Sequence, residues 1–325
     1  MKYLLRRLLR AALLLIGVSA LCFLFTEMAP GSFFDEMRLN PQISPETVTA
    51  LRARYGLDQP LIVRYSRWMA SVVRGDFGYS IAYNSPVAPL LWTRAKNTLL
   101  LTGTATFLVW LIAVPLAAWT AASHGRWLDK AAAVVSSVLI SVPEIVIAIA
   151  LLALAVRTRL VPVGGMRSLG FQEFSTWGQI QDIAQRMVLP TAVLVLSSIA
   201  VVERHVRASV LEVLQMPYIQ AARGLGISRT RLLFRYALPV AANPAISLFG
   251  FSLATLLSGS LLVEVVTGWP GLGPLILDAT LSRDLLLVIG GVLLSALFMV
   301  AGNFIADVLL LAFDPRIRTG ESHAN

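Results

Sequence analysis

What this chain has little of excludes most catalytic chemistry. Its 325 residues include one cysteine, Cys22, so neither a disulfide framework nor a cysteine-based metal cluster can form within it. It has three lysines, Lys2, Lys96 and Lys130. None follows a glycine, so there is no GxxxxGK phosphate loop and no usual route to ATP hydrolysis. The three histidines, His124, His205 and His323, are scattered, and neither HExxH nor GxSxG occurs. An enzyme has nothing to stand on here. Charge is scarce too, at 14% of residues against about 25% in soluble domains.

What is abundant is apolar surface. Hydrophobic residues make up 57% of the chain and the mean hydropathy is +0.74, which places one polytopic membrane domain rather than a string of soluble ones. Six runs are expected to span. The first, residues 11–26, follows the basic lead MKYLLRRLLR and lacks a convincing cleavage site, so it reads as an uncleaved span. The others are 97–123, 131–156 (interrupted by Pro143 and Glu144), 187–202, 236–263 and 285–311. Residues 29–96 read as an external segment. It carries a helix start at Ser44 and Pro45, an amphipathic helix in LIVRYSRWMASVV and a turn in GDFGYSI.

The net charge of +9 is explained by topology. With both termini inside, the inner segments 1–10, 122–130, 203–238 and 312–325 hold 14 Lys and Arg against five acidic residues. The remainder holds 13 of each, so the excess lies on one side and needs no nucleic acid.

That side carries the stretch around which the chain is organised, residues 216–240, MPYIQAARGLGISRTRLLFRYALPV. A helix over 206–222 is expected to reach beyond the membrane, with Leu211, Leu214, Tyr218, Ala221 and Ala222 recurring at helical steps. Alanines on its exposed side permit close approach of a partner. Gly224 and Gly226 end it, and Ser228 suits the N-cap of the next helix, which carries Arg229, Arg231 and Arg235. A plain basic loop satisfying the charge bias would have the same composition.

QAARGLGISRTRLLFRYALP resembles the EAA loop of ABC importer permeases, EAAxxxG, nine residues, then IxLP. Gln220, Ala221, Ala222, Gly226, Leu238 and Pro239 match at the expected spacing, with Gln220 in place of the glutamate and Tyr236 in place of the isoleucine. RYGLDQPLIVRYSRWMASVVRGDFGYSI, VVERHVRASVLEVLQMPYIQAARGLG, VVTGWPGLGPLILDATLSRD and the terminal DPRIR are similar to the dipeptide/oligopeptide/nickel permease family. Departures are Ser32-Phe33 after Pro30-Gly31, where an acidic-proline pair is usual, and Glu144, where serine is common.

The resemblance implies an all-α integral membrane protein with six transmembrane helices in the type I ABC importer permease fold. Residues 1–28 would hold the cytoplasmic N-terminus and first helix, 29–96 the external segment, 97–311 a five-helix core with the coupling loop 203–238, and 312–325 a cytoplasmic tail. The location implied is the bacterial cytoplasmic (inner) membrane. The implied partners are a second, different permease chain, two ABC ATPase subunits and an external substrate-binding protein. ATP and Mg would be bound by the ATPases, and no cofactor by this chain. Di- or oligopeptides are the implied cargo, with nickel chelates or another small solute as the alternative. Tyr218, Gln220, Ala221, Ala222, Gly224, Gly226, Ile227, Arg231, Leu238 and Pro239 would form the ATPase-coupling surface.

Several embedded residues admit two readings. Glu144, in mid-span, is costly unless it faces protein or water. It could meet the amino group of a peptide, pair with an arginine of the partner permease or bind a backbone group. Ser252, Thr255 and Gly259 form a small-residue face that suits helix packing or a pathway wall. Trp269-Pro270-Gly271 resembles the family's external loop, where a gate or a docking surface for the binding protein is implied; a tight turn with an interfacial tryptophan is the plainer account. Asn303 and Asp307 share a helix face and read as a structural cap or ion pair. Pro115, Pro190 and Pro244 read as kinks. A stand-alone secondary transporter would be expected to show internal repeats and several embedded charges, which this chain lacks. A membrane scaffold would need no polar, proline-broken spans.

Overall fold

A computed structural model describes residues 2–28, 44, 46, 49 and 58–313. The helix start at Ser44 and Pro45 and the tail from 314 onward lie largely or wholly outside the described residues. Contacts divide the chain into two compact units, residues 1–97 with 270–298, and residues 98–269 with 299–325.

In the first unit, α1 (Lys2–Met28) and α2 (Leu61–Val73) pack through aromatics. Phe23 meets the Tyr65 ring edge-on at 5.6 Å, and Trp68, Ile289 and Leu293 complete the cluster. The turn expected in GDFGYSI is present, with Gly75 and Gly78 at positive φ. It leads into a two-residue antiparallel ribbon, β1 (Tyr79–Ser80) and β2 (Ser85–Pro86), so the all-helical expectation has one small exception. Asp284 fixes this ribbon: its carboxylate accepts from the Ser80 hydroxyl at 2.6 Å and the Ala82 amide at 3.1 Å.

The second unit is built on long helices. α3 (Val87–Ala122) enters it at residue 98 and runs unbroken through Pro115. α4 (Trp127–Ser141) and α5 (Glu144–Thr158) follow. α6 (Thr176–Leu214) runs through Pro190, is capped by the Ser175 hydroxyl and extends well past the expected 187–202 run at both ends. At 39 residues it is about 58 Å long, nearly twice a hydrocarbon core of about 30 Å.

After α7 (Pro217–Gly224), a helical turn at Arg229–Arg231 passes through a π-helical turn, Leu232–Ala237, into α8 (Leu238–Thr267). The helix direction changes by 53° between Arg229–Ala241 and Pro244–Gly250. α9 (Leu272–Leu281) and α10 (Leu285–Phe313) complete the chain. In the second unit α8 and the end of α10 approach through small residues. A Cβ on Gly250 would collide with the Ala306 methyl, and one on Gly302 would sit 3.2 Å from Leu253 Cβ.

Four helices among the described residues are long and apolar enough to cross a bilayer, or up to seven spans with the bent pairs, a range that contains the expected six. The interruption expected at Pro143 and Glu144 is present and sharp. The 131–156 run breaks at Val142 and Pro143, and α4 and α5 diverge by 97°. Each is 15 residues, about 22 Å, too short to cross alone. Pro143 lacks an amide hydrogen and holds φ at −57°, and it forces Val142 into extended backbone (φ −89°, ψ 121°).

Candidate functional site

The helix expected over 206–222 is two helices. α6 stops at Leu214, and α7 starts at Pro217 after extended Met216 (φ −65°, ψ 144°). Proline explains the break: it disfavours helical backbone in the residue before it and is itself well placed at the first helical position. The eight-residue α7 is held down by Ile219, which is 2% exposed among Val206, Val210, Val213, Leu232 and Leu233.

The far end of α7 closes with paired backbone bonds. The Gly226 amide donates to Arg223 O at 3.0 Å and the Ile227 amide to Ala222 O at 3.3 Å. Gly226 sits at φ +79° between them. This is a Schellman closure, in which the residue past the helix end takes left-handed backbone and the next one packs back on the last turn. Ala222 and Ile227 both pack against the same apolar cluster. The four-residue step from Ala222 to Gly226 is therefore a geometric requirement. Only Gly226, not Gly224, has left-handed backbone.

The outward face of α7 is small and open. Gln220, Ala221, Gly224 and Leu225 are exposed, and nothing lies within 4 Å of a Cβ built on Gly224 or Gly226. Of the two alanines only Ala221 faces out, because Ala222 packs inward. Tyr218 and Arg231 are exposed, Leu238 joins the core cluster, and Pro239 is exposed in the first turn of α8. The Gln220 amide donates to Leu214 O at 3.1 Å, satisfying a carbonyl at the end of α6. An ionised glutamate has no hydrogen to donate there. Ser228 occupies the expected N-cap position, but its hydroxyl makes no capping bond.

Two polar clusters brace α6, the helix that leads into α7. Glu203, 3% exposed, accepts from Thr120 at 2.8 Å and Ser136 at 3.2 Å, joining α3, α4 and α6. Asp129 pairs with Arg207 and accepts from the Gly125 amide at 3.0 Å, pinning the α3–α4 turn to α6.

The pathway candidates separate in space. Glu144 is half-buried in the first turn of α5. Its Oε1 accepts from the Ser197 hydroxyl at 3.2 Å, and its Oε2 lies against Gly259, where a Cβ would come within 2.7 Å. Thr255 is exposed on α8, one turn from Gly259. Trp269 and Ser252 are both buried within the chain. Trp269 is 1% exposed and packed with Leu101, Met187, Val193 and Leu256. Ser252 is buried beneath Trp110, whose indole donates to it at 3.0 Å.

Reading the sequence missed Ile219, Leu225 and Ser197. Ile219 was one apolar residue in a basic loop, and Ser197 is 53 positions from the group it touches. Leu225, 83% exposed, could have been suspected from its place between the two glycines.

Four apolar helices of spanning length among the described residues, with further bent pairs that pass the same test, define the class: a polytopic membrane protein. Residues 113–319 match the model for the binding-protein-dependent transport system inner membrane component, and residues 1–102 match the N-terminal model for the same systems' membrane components. The chain is 33% identical over 317 residues to the oligopeptide transport system permease protein AppB of Bacillus subtilis (strain 168), covering 97% of this chain and 98% of AppB. It is 34% identical over 322 residues to the glutathione transport system permease protein GsiC of Escherichia coli (strain K12), covering 98% and 99%. A solved structure of the inward-facing MetNI methionine ABC transporter shares the fold, with a TM-score of 0.54 at 20% identity over 69% of this chain and 96% of that one. The chain belongs to the family of binding-protein-dependent transport system inner membrane components and is a permease subunit of an ABC importer.

Proposed function

We propose that this permease imports di- or oligopeptides, pairs with a second permease chain, and is driven by two cytoplasmic ABC ATPases that grip α7. An external binding protein delivers the cargo. ATP and Mg belong to the ATPases, and this chain binds no cofactor. Both termini and α7 face the cytoplasm of a bacterial inner membrane, in accord with the lysine and arginine bias.

The observation that carries the reading is the build of α7. It is anchored by Ile219, closed at Gly226, and left with a bare outward face at Ala221 and Gly224 that another chain's groove can cover. The peptide cargo is supported by the full-length relatives that carry oligopeptides and glutathione in their names.

The test is Ala221→Arg in the intact transporter. A long charged side chain on the bare face is expected to abolish copurification of the ATPases while the chain still inserts in the membrane. Normal complexes in that variant would refute docking at α7.

A further inference from the structure

We propose that Glu144 is the charge-selecting residue of this chain's half of the pathway, favouring solutes that present an ammonium or guanidinium group. The inference rests on the peptide-importer reading and names the part of the cargo that this residue meets.

The first observation is where Glu144 sits. It follows the break at Pro143, against Ser197 near the middle of α6, a helix long and apolar enough to cross a bilayer, and Gly259 within α8, and α5 passes that test together with α4. A carboxylate at that depth is disfavoured unless water or a positive charge meets it. The second is what accompanies it. Ser197 gives one hydrogen bond, α5 offers its N-terminal end, and Glu144 has no Lys, Arg or His partner among the described residues. One hydroxyl and a helix end leave most of the carboxylate's acceptor capacity unused.

The third observation is the adjoining surface. Thr255, Ser258 and Gly259 fall at i, i+3 and i+4 on α8, and Thr255 and Ser258 are exposed. The Thr255 hydroxyl donates to the Ser252 carbonyl at 3.0 Å, so on this small-residue face it is the carboxylate that a hydrated route would solvate. Gly259 matters in detail, because any side chain there would displace the Glu144 oxygens. Of the chemistries this chain's cargo can present, an amino terminus or a basic side chain is what a hydrated carboxylate selects through charge-assisted hydrogen bonds.

The test uses cells expressing the whole transporter, supplied with a labelled tripeptide and its N-acetylated counterpart, neither with a basic side chain. Glu144→Gln is expected to lower uptake of the free-amino tripeptide about tenfold and to flatten the preference over the acetylated form. Glu144→Asp should retain the preference, and Gly259→Ala should reduce it while leaving the charge in place. The binding protein is the same in every strain, so a change in preference belongs to the permease. An unchanged preference in Glu144→Gln overturns the proposal. So does loss of the second permease from the purified Glu144→Gln complex, which would assign the carboxylate to a cation on that chain. If the unaltered transporter imports neither tripeptide, the peptide reading itself fails and this inference falls with it.

Discussion

Removing the anchor of α7 should uncouple the permease without unfolding it. An isolated helix needs about 12–15 residues to be even marginally stable in water. α7 has eight, so its position depends on packing. Ile219 is its one fully buried side chain. Ile219→Ala removes three carbons, worth about 2–3 kcal/mol at roughly 0.8 kcal/mol each, and up to about 5 kcal/mol where the cavity fails to collapse. At about 1.4 kcal/mol per factor of ten, the smaller figure already lowers the docked-to-undocked ratio by roughly 30–150-fold. The amides of Gly226 and Ile227 report docking, because both are tied back to the last turn of α7. Their hydrogen exchange in the purified transporter should accelerate by about the same roughly 30–150-fold factor. ATP-driven uptake should fall while the amount of chain in the membrane holds. Unchanged exchange at these two amides, with normal uptake, would refute the claim that Ile219 positions α7.

Two further predictions concern single glycines. Gly226→Val places a β-branched residue at φ +79°, at a cost of about 1–3 kcal/mol, and should weaken ATPase copurification; Gly226→Asn, which tolerates left-handed backbone, should retain most of it. Gly250→Ala should lower thermal stability in detergent by about 1–3 kcal/mol of overpacking against Ala306, and adding Ala306→Gly should restore most of the loss, whereas additive losses in the double variant would show that the two residues do not meet as described.

How much could be read from the sequence depended on how far along the chain the deciding contact lay. The closure of α7 was legible because Ala222, Gly226 and Ile227 are neighbours and the conformation is local. The break between α4 and α5 was signalled by Pro143, but its 97° angle depends on packing that no local pattern encodes. The packing of Trp269 was not legible for a related reason: the Trp-Pro-Gly turn is local, whereas the side chains that fill around the ring come from α3, α6 and α8. Whether Ser252 faces a helix or open space depends on Trp110, 142 positions earlier, whose indole covers it. At position 220 a departure from the family pattern left a question that only geometry answers, since the amide turns back to the Leu214 carbonyl.

The same geometry bears on which helix would link the proposed ATPase-docking surface on α7 to Glu144. α7 is joined to α6 at one end and leads toward α8 at the other, and Glu144 touches both helices farther along. The α8 side is the compliant one: it begins with a π-helical turn, changes direction before Pro244, and carries Gly250 on the way to Gly259. The α6 side is stiff. From Ser197 to Leu214 it contains neither proline nor glycine, and that stretch is about 26 Å of continuous helix. Glu203 braces it to α3 and α4, and Arg207 pins it to the α3–α4 turn. We infer that, were the ATPases to displace α7, the motion would reach Glu144 chiefly through Ser197. The π-helical turn and the bend would absorb the difference in path on the α8 side.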